Sequence, residues 1–445
     1  MDFTRRDFNA TALAGSVALA APTWAQDGGK PDDINIAIIG PGSQGRNLLI
    51  NTLKIPGVRF KAVCDIWSYH QKYAANILKK FKHDVNVYSD YREMLAKEAK
   101  NLDAVIIATP DWMHSEHTVA CLKAGLHVYC EKEMSNTLEG AAAMVRASKE
   151  SGKLLQIGHQ RRSNIRYHHS VKLKNKDKVL GQITHCFGQW NRRHRLELGW
   201  PEKYTIDAAT LKEYGYDSMD AFRNWRWYKQ YSGGPMADLG SHQIDVFSWF
   251  LNANPVSVYA SGGVDYYKEK GRDWYDNVMA IYEYDAVQPD VGTTRVRAFY
   301  QVLNTTSHGG FFETFMGDAG TLVISEDARK GFFFREPTEN TRREWEDQSE
   351  TVKAMGTDAI TLKIGQTLAP DGSKDPAGQR LLEESKKPVH QLHLENFFNA
   401  LRDPKKNKLS CPGEIGYETA VAVLKANESV EGRKVIDFKP DDFHV

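Results

Sequence analysis

Residues 34–53 read "INIAIIGPGSQGRNLLINTL", and this stretch decides the fold. It opens as a short apolar, β-branched run, the mark of a strand buried on both faces of a parallel sheet. The run leads straight into Gly40, Gly42 and Gly45, spaced G-x-G-x-x-G, after which Leu48, Leu49, Thr52 and Leu53 share a helical face. "VRFKAVCD" (58–65) reads as a second strand ending on Asp65. Each part has a task in holding a dinucleotide. Gly40 allows the tight turn, Gly42 lets backbone approach a pyrophosphate, and Gly45 lets helix and strand pack closely. The helix start, with Ser43 and Gln44, offers free N–H groups and a positive dipole end to the phosphates. Asp65 is placed to accept from ribose hydroxyls and to repel a 2′-phosphate, so NAD is expected rather than NADP. Glycines alone would be weak evidence, but strand, glycines, helix, strand and acid in register are strong.

Working outward, strands and helices alternate. "YREMLAKE" (91–98), "HSEHTVACLKAG" (114–125) and "TLEGAAAMVRASKESG" (137–152) are predicted helices, between strands in "LDAVIIATP" (102–110), "HVYCEK" (127–132) and "LLQIGHQ" (154–160). Such alternation predicts an α/β fold, a doubly wound parallel sheet over 34–157. Ligands of such sheets sit beyond the carboxyl ends of the strands. The polar segments "ATPDWMH" (108–114), "CEKE" (130–133) and "GHQRR" (158–162) all lie at that rim.

A second, α+β domain is expected over 158–445. Apolar or alternating runs recur at "ITHCFGQW" (183–190), "PVSVYASGG" (255–263), "DNVMAIYEY" (276–284), "RVRAFYQVL" (295–303), "ETFMGDAGTLVIS" (313–325) and "GFFFRE" (331–336). With no long helices between most of them, they predict a large open, mostly antiparallel sheet. Helices are predicted in "VHQLHLENFFNAL" (389–401) and "GEIGYETAVAVLKANESV" (413–430), with a last strand in "KVIDF" (434–438). The polar segment 336–389 reads as a long surface excursion.

Charge excludes two classes of partner. The chain has 58 basic and 57 acidic residues, so no basic excess points to nucleic acid or an anionic membrane surface. Residues 1–25 differ in kind: Arg5 and Arg6 precede an uncharged, weakly apolar stretch from Ala10 to Ala25 that ends in Thr-Trp-Ala. The stretch is too short and small-sided to span a bilayer. It resembles a twin-arginine export signal, which implies removal after Ala25, a periplasmic destination and no membrane span in the mature protein. The five cysteines are odd in number and lack CxxC spacing, so buried thiols are expected rather than a disulfide framework. No metal-ligand spacing is present, and metal is expected to play no part.

The segment "FRNWRWYKQYSGGPMADLGSHQIDVFSWFL" (222–251) carries the chemistry of the second domain. Gly233 and Gly234 break the chain, and a helix is predicted to begin near Met236 to Gly240. Asp238 and His242, four apart, share one helical face. Asp245 is positioned to orient the imidazole, while Ile244, Phe247 and Leu251 turn to the core. The same spacing also fits a capping aspartate and a polar core histidine.

Taken together, the glycine loop with Asp65, "TPDWMH" (109–114), "EK" (131–132), "GHQRRS" (158–163) and "GGPMADLGSHQID" (233–245) give a resemblance. From Ile34 onward the chain resembles the Gfo/Idh/MocA oxidoreductases, the group of glucose–fructose oxidoreductase and inositol dehydrogenase. The resemblance implies that Lys132 is the active-site lysine and that Asp238 and His242 complete the constellation. It implies Thr109, Pro110, His114 and Glu131 near the cofactor, Arg162 beside substrate or nicotinamide, and His159 toward the substrate. Trp225, Arg226 and Tyr228 would border a sugar site, although aromatic residues this dense also suit packing between domains.

The implied reaction is oxidation of a secondary hydroxyl of a sugar or glycoside. His242 would remove the hydroxyl proton, Lys132 would stabilise charge on the same oxygen, and Asp238 would bind a neighbouring hydroxyl or orient His242. Free NAD is taken to be scarce outside the cytoplasm. Export therefore implies tightly held, recycled NAD and a transient, redox-neutral oxidation, with C3 the expected position. Two alternatives stand beside it: an NAD-dependent glycosidase acting by oxidation and elimination, and a sugar-binding protein without turnover. A homo-oligomer is expected. One departure from the family pattern is Glu133, where proline usually follows the lysine. The loop either runs trans, shifting Lys132, or keeps a cis bond without proline. An inward Glu133 would favour a charged lysine.

Overall fold

Strand β1 (Ile34–Ile39) is buried on both faces, and its alternating residues enter two different cores. Ile36 and Ile38 join Leu48, Leu49, Phe60 and Val63 on one side; Ala37 and Ile39 join Val105, Ile107 and Val128 on the other. The computed structural model describes residues 33–193, 197–268, 271–339, 344–347, 349–354, 356–362 and 376–445. Residues 1–25, read above as an export signal, lie outside them.

Six parallel strands form the first sheet in the order β3-β2-β1-β4-β5-β6. Here β2 is Val58–Cys64, β3 Asn86–Tyr88, β4 Ala104–Ile107, β5 His127–Cys130 and β6 Leu155–Ile157. This is the doubly wound order, and its direction reverses between β1 and β4, where a ligand crevice opens. The connecting helices are α1 (Ser43–Thr52), α2 (Ser68–Lys80), α3 (Tyr91–Glu98), α4 (Asp111–Lys123) and α5 (Leu138–Ser151). Helix α5 ends on Gly152 at φ +66°, the left-handed cap that glycine adopts without steric cost. Strand β3 escaped the sequence reading because it is three residues long at the sheet edge, too short to show a period.

The second sheet has ten strands in the order β14-β15-β13-β12-β11-β7-β10-β9-β8-β16. They are β7 (Ile183–Asn191), β8 (Pro255–Gly263), β9 (Asn277–Gln288), β10 (Gly292–Leu303), β11 (Phe311–Gly317), β12 (Gly320–Ile324), β13 (Phe332–Arg335), β14 (Thr351–Ala354), β15 (Thr357–Thr361) and β16 (Ile436–Asp437). Only β7 and β10 run parallel; the other pairs are antiparallel. The polar segment 336–389 is therefore more than a surface excursion, since β14 and β15 within it extend the sheet. Of the further helices, four bear on the site and on the packing of the sheets: α6 (Ile165–Asn175), α7 (Ser241–Leu251), α8 (Val389–Arg402) and α9 (Gly413–Gly432). Helix α8 returns to the first sheet, where Leu394, Phe397 and Phe398 close the core around Ile36 and Ile38. Helix α9 lies against β8 and α5, tying the two sheets together.

Candidate active site

The glycine loop fits a dinucleotide. Gly40 has φ +82°, and a Cβ there would meet Thr109 at 2.7 Å. A Cβ on Gly45 would sit 2.2 Å from the Gly40 carbonyl oxygen, so helix α1 approaches the strand end only because that residue is glycine. No side chain caps α1, which leaves the first-turn N–H groups of Ser43, Gln44 and Gly45 untouched by capping and aimed past the strand ends. Gly45→Ala is expected to release the nicotinamide cofactor and to lower stability by roughly 1–3 kcal/mol. Thermal unfolding together with measurement of protein-bound nicotinamide checks both effects.

Asp65 follows β2 as expected. Its carboxylate accepts from the Trp67 amide (2.8 Å) and faces His70 Nδ1 (2.9 Å). These contacts fix the acid's orientation and leave lone pairs for a ribose. Gln44 Nε2 donates to Glu131 Oε1 (3.0 Å), so the glycine loop is joined to the lysine loop. The Lys132 amide in turn donates to Glu131 Oε2 (3.3 Å), and the Lys132–Glu133 peptide bond is cis.

Behind this loop lies a buried polar network. His114 sits with Nδ1 2.6 Å from the Glu133 carbonyl and Nε2 2.7 Å from the Thr109 carbonyl. Both neighbours are acceptors, so both ring nitrogens donate only in the imidazolium form. Burial alone would push this imidazole down; Cys130, Asp111 and the Glu133 carbonyl outweigh it and hold the pKa at about 10. His114 thus braces the Thr109 and Lys132 loops from within. Pro110 leads into α4, whose first residue, Asp111, accepts from the Gly233 amide (3.2 Å). Glu133 is fully buried; Oε1 accepts from the Met134 amide (2.8 Å), and burial raises the carboxyl to about 8.

Asp238 falls in a π-helical turn, Met236–Gly240, that runs directly into α7. A wider turn here replaces the regular helix start that the sequence suggested, a local departure common at functional sites. Gly234, at φ +76° with Trp274 2.6 Å from where its Cβ would stand, sets the entry. Lys132 Nζ donates to the Asp238 carbonyl and lies 3.9 Å from its carboxylate. The same carboxylate meets Arg226 Nε at 3.1 Å and Arg192 Nη2 at 3.3 Å.

His242 follows within one turn. It is buried, and burial first, then Lys132, Arg161 and His159, hold its pKa well below the usual imidazole range. The ring is therefore neutral, with Nδ1 lacking a partner among the described residues. Trp190 lies beside it at 5.4 Å between ring centroids and His159 at 6.3 Å. His159 is likewise buried and neutral, pushed down to about 4, and neither of its ring nitrogens has a partner among the described residues.

One expected role is corrected. Asp245 does not orient His242: its carboxylate receives Arg162 Nε at 2.8 and 3.0 Å and the Thr419 hydroxyl at 3.1 Å. Arg162 pairs with Asp245 through Nε and lies against the face of Trp249. The adjacent Arg161, unremarked in the sequence, is buried against Glu313, and its guanidinium stacks on Trp190 beside His242. Of the aromatic segment, Arg226 lies over the Trp225 ring at 4.2 Å, while the Tyr228 hydroxyl donates to Asp220 (2.8 Å). Trp227 is buried beneath Arg272 and belongs to packing. Arg192 was also missed, although it stands two residues after Trp190 at the end of β7, where alternate residues share a face.

Buried imidazoles make the fold acid-sensitive. Burial lowers His83, His159 and His169 to about 4 and His117 and His393 to about 3. Their folded pKa values lie below the unfolded one, so the stability they contribute is present above about pH 6.5 and lost as pH falls toward 4. Each contributes a slope of about 1.4 kcal/mol per pH unit in that window. The buried carboxyls Asp111, Glu133 and Glu313, raised by burial, act in the opposite sense and are fewer. The thermal midpoint is expected to drop steadily between pH 6.5 and 4, as calorimetry at a series of pH values would record.

All five cysteines are buried and free, and no three His, Cys, Asp or Glu side chains among the described residues are arranged to hold a metal.

Comparison with known proteins places this geometry. Residues 34–159 match the family "Oxidoreductase family, NAD-binding Rossmann fold" and residues 168–322 match the "GFO/IDH/MocA C-terminal domain", together more than half of the chain. The chain is 27% identical over 225 residues to an inositol 2-dehydrogenase/D-chiro-inositol 3-dehydrogenase of Shouchella clausii, covering 49% of this chain and 53% of that protein. It thus spans about half the length of the curated relatives it matches. Among solved structures, levoglucosan dehydrogenase with NADH and levoglucosan superposes with TM-score 0.66 at 19% identity, over 92% of this chain and 99% of that one. Aldose-aldose oxidoreductase from Caulobacter crescentus superposes with TM-score 0.65 at 16% identity, over 91% and 100%. At these identities the two structures speak for the fold. With both of its domains matched, its first domain an NAD-binding Rossmann fold, the chain belongs to the Gfo/Idh/MocA oxidoreductase family.

Proposed function

We propose that this protein is an NAD-dependent oxidoreductase acting on a secondary hydroxyl of a sugar or glycoside. The observation that carries the reading is the meeting of Lys132 Nζ, the Asp238 carboxylate and the neutral imidazole of His242 at the rim that holds the glycine loop. NAD, when bound, supplies the hydride acceptor. His242, neutral at working pH, accepts the hydroxyl proton; Lys132 holds the same oxygen and steadies its developing charge. Asp238 keeps Lys132 in place and offers acceptor oxygens to a neighbouring hydroxyl.

The reaction we favour is transient and redox-neutral, with NAD held tightly and recycled, in a periplasmic protein exported by the twin-arginine route. Oxidation is placed at C3; in the glycosidase alternative the resulting ketone would make the C2 proton acidic, and loss of the C1 substituent would follow. The name of the fold neighbour acting from aldose to aldose is in keeping with a closed redox cycle. A homo-oligomer is part of the proposal: Tyr259, Ile281, Phe299 and Phe187 are register partners across β8, β9, β10 and β7, forming an apolar row on the outer face of the sheet.

Incubation of the purified protein with aryl glycosides and with free sugars tests the reading. Ketosugar formation is expected. Phenol release would favour the glycosidase alternative, and neither product would overturn the enzymatic reading in favour of a binding protein.

A further inference from the structure

Resting on the reading just given, the charge around Asp238 names the substrate class more narrowly. Three cations share this one carboxylate: Lys132, Arg192 and Arg226. Asp238 itself is largely covered, at 17% side-chain exposure, whereas Arg192 and Arg226 stand 42% and 37% exposed. Each guanidinium reaches the carboxylate through one nitrogen, Nη2 for Arg192 and Nε for Arg226. An arginine carries five N–H donors in a planar fork, so most of each fork remains for something else. Among the described residues neither guanidinium meets a second carboxylate.

The acids nearby are engaged elsewhere. Asp220 accepts from Asn224 Nδ2 and from the Tyr228 hydroxyl, both at 2.8 Å, and Asp273 accepts from the Lys229 amide at 3.3 Å. Geometry adds to the excess of charge. Arg226 is stacked on Trp225, and Arg192 follows Trp190, which flanks His242. The two forks are therefore held beside the ring faces and the reacting groups, not on an unrelated surface. A neutral sugar would leave this surplus of positive charge uncompensated, while an oxyanion would receive planar, charge-assisted hydrogen bonds from both arginines.

We propose that the sugar substrate carries an anionic group, a carboxylate or a phosphate ester, which is received by Arg192 and Arg226 while Lys132 and His242 attend the hydroxyl. A matched set tests this: a methyl glucoside, the corresponding glucuronide and a sugar 6-phosphate, each titrated into NAD-loaded protein with tryptophan fluorescence as the readout. At least one anionic member is expected to bind about tenfold more tightly than the glucoside, with the margin shrinking at high salt. The glucuronide and phosphate arms identify which oxyanion is preferred. Arg192→Gln is expected to bring the ratio of anionic to neutral affinity down about tenfold, with circular dichroism verifying the fold. Equal or weaker binding of both anions, or an unchanged ratio in Arg192→Gln, would overturn the proposal.

Turnover is read separately, from nicotinamide absorbance. An anion preference without hydride transfer would support the charge recognition and count against the oxidoreductase reading. Oxidation of the glucoside with no anion preference would do the reverse.

Discussion

Lys132→Met should lower turnover about a thousandfold while leaving the nicotinamide bound and the fold intact. The lysine is partly buried just past the strand end with its ammonium on Asp238, so removing it takes away the group that would meet the substrate oxygen. Stability should change little, because Asp238 keeps Arg192 and Arg226 and is not left as an unpaired buried charge. Cofactor retention should follow too, since the link between the glycine loop and the lysine loop runs through Gln44 and Glu131, not through Nζ. His242→Ala should likewise abolish turnover with the cofactor retained. Steady-state rates, thermal midpoints and bound nicotinamide measured on the same preparations separate these effects. A Lys132→Met protein with near-normal rate would remove Lys132 from the chemistry.

Arg161→Ala should cost about 3–5 kcal/mol, enough to move the thermal midpoint of a chain this long by about 3–5 °C. Arg161 and Glu313 are both fully buried, and the Tyr167 hydroxyl donates to the other Glu313 oxygen at 2.7 Å. Loss of the guanidinium strands a carboxyl that burial already pushes upward. It also removes the cation stacked on Trp190, so the wall beside His242 should loosen and substrate binding should weaken with it. Replacing the pair together, Arg161→Met with Glu313→Leu, should recover much of the stability, because no charge is then left unpaired. If the double variant is as unstable as Arg161→Ala, the loss comes from packing rather than from the orphaned acid.

What the sequence made legible was local. Three glycines at fixed spacing carry separate steric tasks, and Gly45 meets its own within five residues, against the Gly40 carbonyl. Strict alternation of short apolar runs with helices led to the doubly wound order, and long alternating runs led to the antiparallel sheet. Strands β14 and β15 were hidden because they are short, polar and partly exposed at the sheet's edge, where no apolar period is required. Long-range choices were not legible either. Arg161 and Arg162 are neighbours, yet one reaches Glu313, 152 residues on, and the other Asp245, 83 residues on. No spacing rule distinguishes them; only the packing of β7, α7 and β11 around each does. Asp245 was misassigned for the same reason, since its three-residue offset from His242 permits an orienting contact but does not require one. The cis bond at Lys132–Glu133 matches one of the two geometries left open by the missing proline.

The central claim is that a sugar carbinol and a tightly held NAD exchange a hydride beside Lys132 and His242. Its most direct test is to purify the protein without added cofactor, quantify the nicotinamide it carries, and add a substrate glycoside deuterated at C3. The account predicts bound NAD in the purified protein and deuterium in the reduced nicotinamide after sugar is added. Protein that carries no nicotinamide, or sugar converted with no labelled reduced nicotinamide in samples quenched before the hydride returns, would contradict it.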